Sequence, residues 1–221
     1  YGTEGYLPEA MVNLLATLGW NDGTEQEVFT VDEIIEKFSL DRVQKSPARF
    51  DEQRLLWLNG QHIRALSLDD LVTRVEVFWP ESATKARDYY KKQILGLAQD
   101  RLKTLADLPN LTSYFFERPT PNWAMVDDNK QLAKLGREEQ VKLLAAARAA
   151  FEESDFTADA LQLTLNELLV TTGQKPGILF SLIRLAVSWA PFSPALNETL
   201  AALEQGETLQ RIDDALAAAN T

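Results

Sequence analysis

The sequence has no cysteine, a single histidine and no long apolar run among its 221 residues. Without cysteine the chain has no disulfides, no thiolate nucleophiles and no cysteine-ligated zinc sites, and His62 alone cannot build a multi-histidine metal centre. No stretch of about 18 apolar residues is present, which excludes a membrane-spanning helix. The chain starts at Tyr1 without a secretory-type leader, and we expect it to begin inside a longer parent protein.

Sequence signatures of enzymes are also absent. The chain has no G-x-x-x-x-G-K-S/T phosphate loop, no G-x-G-x-x-G fingerprint, no H-E-x-x-H pair and no G-x-S-x-G elbow. Two adjacent carboxylates on a helix point about 100° apart, so they cannot easily act as an acid–base pair. Such pairs are expected at helix starts and on polar helix faces. Three such pairs occur: Asp69 and Asp70, Asp127 and Asp128, and Asp213 and Asp214. The sequence therefore predicts a chain without a catalytic centre of its own.

Charge is unevenly distributed along the chain. The 33 acidic and 22 basic residues give a net charge of −11, which by itself argues against nucleic-acid binding. Two segments have the opposite sign: residues 42–64 carry a net +3 and residues 85–103 a net +4. Two interpretations remain open from charge alone. Either segment is an ordinary solvated helix face, or the two are phosphate-facing patches on an acidic body.

Apolar residues recur three or four positions apart through most of the chain, a pattern typical of helices. Thr30 and Glu33 form a capping box. We also predict a long helix over 82–100 and a bent helical pair over 102–116, broken at Pro109. No run alternates with period two for long enough to form a strand. The sequence therefore predicts an all-α fold of two to three packed helical modules.

Three blocks of sequence carry a family resemblance. The first is EGYLPEAMVNLLATLGW at 4–20, and the second is FSLDRVQKSPARFD at 38–51, continued by LLWLNGQHIR at 55–64. The third is GQKPGILFSLIRLA at 173–186, followed by Ser-Pro at 193–194. In this order and at this spacing the blocks resemble bacterial-type glutamyl-tRNA synthetases, class I enzymes. The resemblance covers essentially the whole chain.

The resemblance implies the C-terminal, tRNA-binding half of a glutamate–tRNA ligase. Residues 1–67 would form a stem-contact module, 68–125 a first anticodon-binding module and 126–221 a second, together making a helical cage. The chain would position glutamate tRNA for ATP-dependent glutamylation by a missing N-terminal catalytic domain. The resemblance places ATP and Mg²⁺ in the parent enzyme and no cofactor in this chain, which would be inactive alone. We also expect a monomer, in the cytoplasm or an organelle matrix, with no membrane partner.

Site residues follow from the same resemblance and from the basic segments. Arg101 matches the arginine that reads the third anticodon base, and Arg184 matches a second anticodon arginine. The remaining anticodon contacts belong to a family turn: Ser193, Pro194 and Leu196. The basic segments supply the expected contacts to the tRNA backbone and stem: Lys45, Ser46, Arg54, Lys91 and Lys92. We expect neither catalytic nor metal-binding residues in this chain.

Some of these assignments have alternatives. Without the resemblance, we would interpret Arg101 as a surface arginine that forms an ion pair with Asp100 or Asp107. Ala195 stands where the family usually has glycine, so a turn that required positive φ would be strained there. Residues 189–192, Trp-Ala-Pro-Phe, replace a more usual Thr-Gly-containing segment. Acceptance of glutamine tRNA is left open. As an alternative function, the chain is a helical protein–protein interaction module derived from such a tail.

Overall fold

A computed structural model describes residues 1–44 and 49–219. The chain divides into two compact units, Tyr1–Asn110 and Leu111–Thr221. Lys45 and Ser46, two of the predicted phosphate contacts, lie outside the described residues. The three-module division with boundaries after residues 67 and 125 stays a prediction.

The described residues form α-helices joined by short 3₁₀ turns and loops, with no β-strand, so the predicted all-α class is confirmed. A single isolated bridge pairs Trp20 with Val43. The first unit contains α1 (Pro8–Thr17), α2 (Val31–Lys37), α3 (Glu52–Ala65), α4 (Leu68–Arg74) and α5 (Asp88–Ala98). The next helix, α6 (Leu108–Phe116), spans the point of division. The second unit contains α7 (Ala124–Asp127), α8 (Arg137–Glu152), α9 (Ala158–Thr172), α10 (Pro176–Ser188), α11 (Leu196–Leu203) and α12 (Gln205–Ala218).

Two of the helix predictions are wrong in extent. The helix expected over 82–100 is shorter, because it begins only at Asp88 and ends in a 3₁₀ turn, Gln99–Arg101. The pair expected to break at Pro109 is a 3₁₀ turn, Leu105–Asp107, followed by α6. Pro109 lies in the first turn of α6, where its missing N–H costs nothing, so it begins this helix rather than breaking one.

A buried asparagine on α3 organises the first unit. The Asn59 Oδ1 atom accepts a hydrogen bond from the backbone N–H of Leu7 at 2.7 Å, and its Nδ2 donates to the carbonyls of Gly5 and Lys103 at 3.3 and 2.6 Å. The Gly5 carbonyl also accepts from the N–H of Leu105 at 2.9 Å. Asn59 therefore joins the loop before α1 to the segment that follows Arg101.

The only histidine has a structural role. His62 is 8% exposed, and its Nε2 lies 3.0 Å from the Asn13 Oδ1 atom. The same oxygen accepts from the backbone N–H of Phe29 at 2.8 Å, so His62 must donate to it through Nε2–H. Burial lowers the pKa of His62 and so favours the neutral ring, in the tautomer with its proton on Nε2.

The second unit is built around leucine and phenylalanine side chains. Helix α8 packs on α12 and α9, and α10 packs on α8 and α12. Leu144, Phe151, Leu161, Leu182 and Ile212 are fully buried between these helices. Truncating one such leucine to alanine costs about 2–5 kcal/mol of stability. This core holds α10 and the turn after it in place, which matters because both carry predicted anticodon contacts.

Candidate nucleic-acid interface

Two of the predicted anticodon residues meet in the second unit. Arg184 lies on α10 directly after the buried residues Leu182 and Ile183, and its own side chain is half-buried. Its Nε donates a 2.6 Å hydrogen bond to the Ser193 Oγ atom. Nine residues separate the two positions, so the contact requires the chain to turn back after α10. Ser193 thereby orients the guanidinium of Arg184.

The turn that holds Ser193 is closed by hydroxyl groups. Ser193 is 3% exposed and its Oγ donates to the carbonyl of Pro194 at 3.0 Å. The Thr199 hydroxyl lies 3.0 Å from the carbonyl of Ala195 and 3.4 Å from that of Pro194. Pro194 and Leu196 are buried, so we expect any RNA contact of these two residues to come from the backbone of the turn.

The strain expected at Ala195 does not occur. Ala195 has φ −51° and ψ 138°, which an alanine adopts readily, and it precedes the first residue of α11. The left-handed residue near this site is instead Trp189, with φ 42°, at the C-terminal end of α10. Its N–H donates to the carbonyl of Leu185 at 2.7 Å, and its ring packs on Trp123 with centroids 5.9 Å apart. The replacement segment 189–192 therefore has its own supporting contacts.

An open cavity of about 380 Å³ lies beside Arg184. Its walls come from the end of α7, from α10 and from the segment after α10. The lining residues are Met125, Asp128, Asn129, Ser181, Arg184, Leu185, Ala190 and Pro191. The wall thus combines a guanidinium donor, a carboxylate acceptor and apolar side chains. That composition is typical of a pocket for a small polar ring with apolar faces.

A partly buried ion-pair network supports the C-terminal end of α10. Arg211 on α12 is 4% exposed and donates to the carbonyl of Val187 at 2.7 Å and to Glu207 at 2.7 Å. Glu207 also accepts from Arg118 at 2.7 and 2.9 Å. Hydrogen bonds from Arg118 and then Arg211 lower the pKa of Glu207 to about 2. The carboxylate is therefore charged throughout the physiological range and holds the guanidinium of Arg211, which reaches the end of α10.

Arg101 ends a 3₁₀ turn in the first unit and is exposed. No ion pair to Asp100 or Asp107 is found among the described residues. Asp107 instead accepts hydrogen bonds from the backbone N–H groups of Lys103 at 3.0 Å and Thr104 at 2.8 Å. The alternative interpretation, in which Asp107 pairs with Arg101, therefore lacks support in the geometry.

The predicted backbone contacts are partly engaged within the chain. Arg54 lies 3.3 Å from the Thr17 hydroxyl and 3.8 Å from the Glu27 carboxylate. Lys92 forms an ion pair with Asp69, and the Lys91 Nζ atom lies 5.5 Å from the centre of the Trp79 ring. Ion pairs of this exposed kind are worth about 0–1 kcal/mol, so a phosphate can displace them.

Sequence reasoning missed two residues, one that lines the cavity and one that follows a lining residue in sequence. Asp128 lines the cavity, yet in the sequence it appears as one member of an ordinary acidic pair. Phe192 is 63% exposed between Pro191, which lines the cavity, and Ser193, which contacts Arg184. The signal for Phe192 was present in the sequence, because residues 189–192 differ from the family pattern.

The part of the chain that the structure describes contains no helix long and apolar enough to cross a bilayer. In that same part, acidic and histidine side chains do not gather in threes with the geometry of a metal site.

Family models match nearly the whole chain. Residues 64–216 match a family described as "Anticodon binding domain". Residues 1–57 match a family described as "tRNA synthetases class I (E and Q), catalytic domain". The first 57 residues thus resemble part of a catalytic-domain family, and residues 64–216 resemble an anticodon-binding domain.

Individual relatives agree with this division. The chain is 34% identical to the glutamate--tRNA ligase of Chloroflexus aurantiacus, over 97% of this chain and 44% of the relative. It is 36% identical to the glutamate--tRNA ligase of Roseiflexus sp., over 98% of this chain and 44% of the relative. A solved glutamate tRNA ligase from Elizabethkingia meningosepticum, in complex with its amino acid, superposes with a TM-score of 0.81. That match has 27% identity and covers 97% of this chain and 42% of the other. The chain therefore spans less than half the length of the relatives it matches.

Proposed function

Since this chain belongs to the anticodon-binding domain family, we propose that it binds transfer RNA and contacts the anticodon loop. In the longer protein it would position glutamate tRNA for glutamylation by the catalytic part, which would supply the ATP and Mg²⁺ chemistry. We propose that the chain acts as a monomer in the cytoplasm. The helical protein–protein module considered from the sequence is not favoured, because the relatives are tRNA ligases along almost the whole chain.

One observation carries the proposal: the 2.6 Å hydrogen bond between Arg184 and Ser193 at the edge of the cavity. The resemblance implies that both residues contact the anticodon, and folding brings their side chains into contact. Single-stranded loops are recognised by bases that leave the stack and bond with their edges to side chains such as arginine. A guanidinium held in one plane by Ser193 is suited to such an edge, because less side-chain entropy is lost on binding.

Arg101 is proposed to read the third anticodon base from the first unit. Its side chain is exposed, and Asn59 holds the chain two residues later through the carbonyl of Lys103. A guanidinium can make two hydrogen bonds to one base edge, and each good pair of this kind is worth about 1–3 kcal/mol of discrimination.

The experiment is a titration of the 221-residue chain with glutamate tRNA transcripts, followed by gel shift or fluorescence anisotropy. Arg184→Ala is expected to weaken binding about tenfold or more, because a charge-assisted contact is lost. Arg101→Ala is expected to remove the preference for the cognate third anticodon base. The control is Lys142→Ala on α8, a residue with a 78% exposed side chain that changes charge equally. If the affinity of the unmodified chain for tRNA does not depend on the anticodon sequence, the proposal is wrong.

A further inference from the structure

Contacts within the chain do not fix the direction of the Arg101 side chain. Among residues 1–44 and 49–219, its exposed guanidinium has neither a hydrogen-bond partner nor an ion-pair partner. The place from which this group can reach a base is therefore set by the backbone of the 3₁₀ turn Gln99–Arg101. The side chains that hold this turn thus decide where Arg101 is presented.

The side chain of Gln99 attaches the turn to the C-terminal end of α3. Its Nε2 atom donates to the carbonyls of Ile63 and Leu66, both at 3.0 Å. The last carbonyls of a helix have no partner within that helix, so the end of α3 offers acceptors at this point. Gln99 therefore caps α3 and at the same time fixes the first residue of the turn that carries Arg101.

Arg64 holds the middle residue of the same turn. It lies in the last turn of α3, and its Nη1 atom donates to the carbonyl of Asp100 at 3.3 Å. The guanidinium lies along its own helix, because a Cβ atom at Gly60 would be 3.4 Å from both of its terminal nitrogens. Arg64 thus reaches from α3 to the residue directly before Arg101.

The segment after Arg101 is held by α3 as well. Leu102 is fully buried, and the Nδ2 atom of Asn59 donates to the carbonyl of Lys103 at 2.6 Å. Helix α3 therefore contacts the chain on both sides of Arg101. A side chain whose backbone is already fixed loses less conformational freedom when it binds a partner.

From these contacts we infer that Gln99 and Arg64 are positioning residues for the base that Arg101 is proposed to read. They act through the backbone of the turn and leave the contact with the base to Arg101. Two hydrogen bonds to one base edge require a defined direction, so a displaced turn discriminates less well between bases. The inference rests on the proposed function and adds to it two residues that control base specificity.

The test measures the affinity of the 221-residue chain for two transcripts, glutamate tRNA and a version with the third anticodon base changed. Gln99→Met keeps the length of the side chain but removes both donors, so the ratio of the two affinities should fall about three- to tenfold. Partial unfolding lowers both affinities by the same factor, so reduced stability by itself does not change the ratio. The matched control is Gln93→Met at an exposed position of α5, which should keep the ratio.

Variants of Arg64 give an independent measurement of the same ratio. Arg64→Ala should lower it about threefold, because one hydrogen bond to the turn is lost. Arg64→Lys keeps a cationic donor and should restore most of the preference. A role of Arg64 in phosphate binding alone would weaken both transcripts equally and leave the ratio unchanged, which would remove Arg64 from the inference.

Arg101→Ala separates failure of this inference from failure of the proposed function. In that background Gln99→Met should have no further effect on the ratio, because the base-contacting side chain is absent. If Arg101→Ala abolishes the preference but neither Gln99→Met nor Arg64→Ala reduces it, this inference is wrong and the proposed function stands. If Arg101→Ala leaves the preference intact, or if neither transcript binds, the role proposed for Arg101 is wrong and the inference fails with it.

Discussion

At the residue level, Arg184 depends on Ser193 for its orientation. The Nε–Oγ hydrogen bond is 2.6 Å long, and the hydroxyl is almost fully buried, so no solvent molecule replaces it easily. Sequence reasoning assigned both residues to the anticodon but had no means of predicting that they touch. The contact explains why a serine or threonine hydroxyl is useful at position 193.

Removing that hydroxyl tests the orienting role. Ser193→Ala is expected to weaken tRNA binding about 3- to 10-fold, because the Arg184 Nε atom loses its acceptor and the guanidinium gains freedom. Ser193→Thr keeps the hydroxyl and should bind nearly as tightly as the unmodified chain. The measurement is an anisotropy titration, with thermal melts to check folding. Equal affinity of Ser193→Ala and the unmodified chain would contradict the prediction.

Gly5 shows how one residue controls the position of another segment. Its φ is +81°, and a Cβ atom there would lie 2.4 Å from the backbone nitrogen of Ala106 and 2.5 Å from that of Leu105. These are backbone atoms that cannot rotate away. Only glycine therefore permits the close approach between the loop before α1 and the segment after Arg101.

Gly5→Ala is expected to destabilise the first unit by at least about 2 kcal/mol, from left-handed strain together with the backbone clash. Gly2→Ala is the control, because a Cβ atom at Gly2 meets nothing within 4 Å. Urea unfolding of both variants is the measurement. A Gly5→Ala variant as stable as Gly2→Ala would show that the close approach of Gly5 to Leu105 and Ala106 does not exist in solution.

At the element level, α10 is held by contacts from α12. Arg211 reaches the carbonyl of Val187 near the end of α10, and Glu207 holds Arg211. Breaking a buried ion pair from one side is costly because it leaves a charge in a poorly solvated place. Since Glu207 is about one-third exposed, the cost should fall between the values for a surface pair and a fully buried pair.

Glu207→Gln is therefore expected to lower the free energy of unfolding by about 2 kcal/mol at pH 7. The pKa of Glu207 is lowered from 4.5 to about 2, so its stabilising effect is complete above pH 4.5 and is lost as the pH falls towards 2. The difference between the two proteins should shrink over that interval. Denaturant unfolding at pH 7 and pH 3 measures it, with Glu153→Gln as an exposed control.

Helix identity was largely predictable, whereas helix ends were not. The Thr30–Glu33 capping box was predicted and is formed, because both partners lie within one turn. Pro109 was misjudged because a proline that breaks a helix and a proline that begins one look alike in sequence. The late start of α5 at Asp88 was missed because the residues after Ser82 are compatible with a helix but form turns.

At the level of the whole molecule, the acidic charge and the basic segments act in opposite directions. A net charge of −11 repels RNA at a distance, so the proposed binding would have to come from local cations that match phosphates. Binding of this kind releases counterions and weakens as salt rises. This charge distribution should make nucleic-acid binding more selective, because a nucleic acid that does not fit the basic segments is mainly repelled by the acidic surface.

Salt titrations should reveal the individual phosphate contacts. Each phosphate contact contributes about 0.7–0.9 to the slope of log affinity against log salt, so Lys92→Ala should reduce that slope by nearly one. Lys92 pairs with Asp69 in the free chain, and this exposed pair should not prevent a phosphate contact. Lys142→Ala should leave the slope unchanged. An unaltered slope for Lys92→Ala would remove this lysine from the interface.

The amino-acid order by itself determined the helical class, the family resemblance and the identity of most candidate contacts. Helix caps, apolar spacing and motif blocks depend on residues that are close together in the sequence, so they can be recognised without knowledge of the fold. Only the tertiary structure decided that Arg184 meets Ser193, that Asp128 faces the same cavity, and that Asp107 bonds to backbone instead of Arg101. Those outcomes depend on which helices pack together and at what angle, and side-chain contacts between distant positions exist only after that packing has formed.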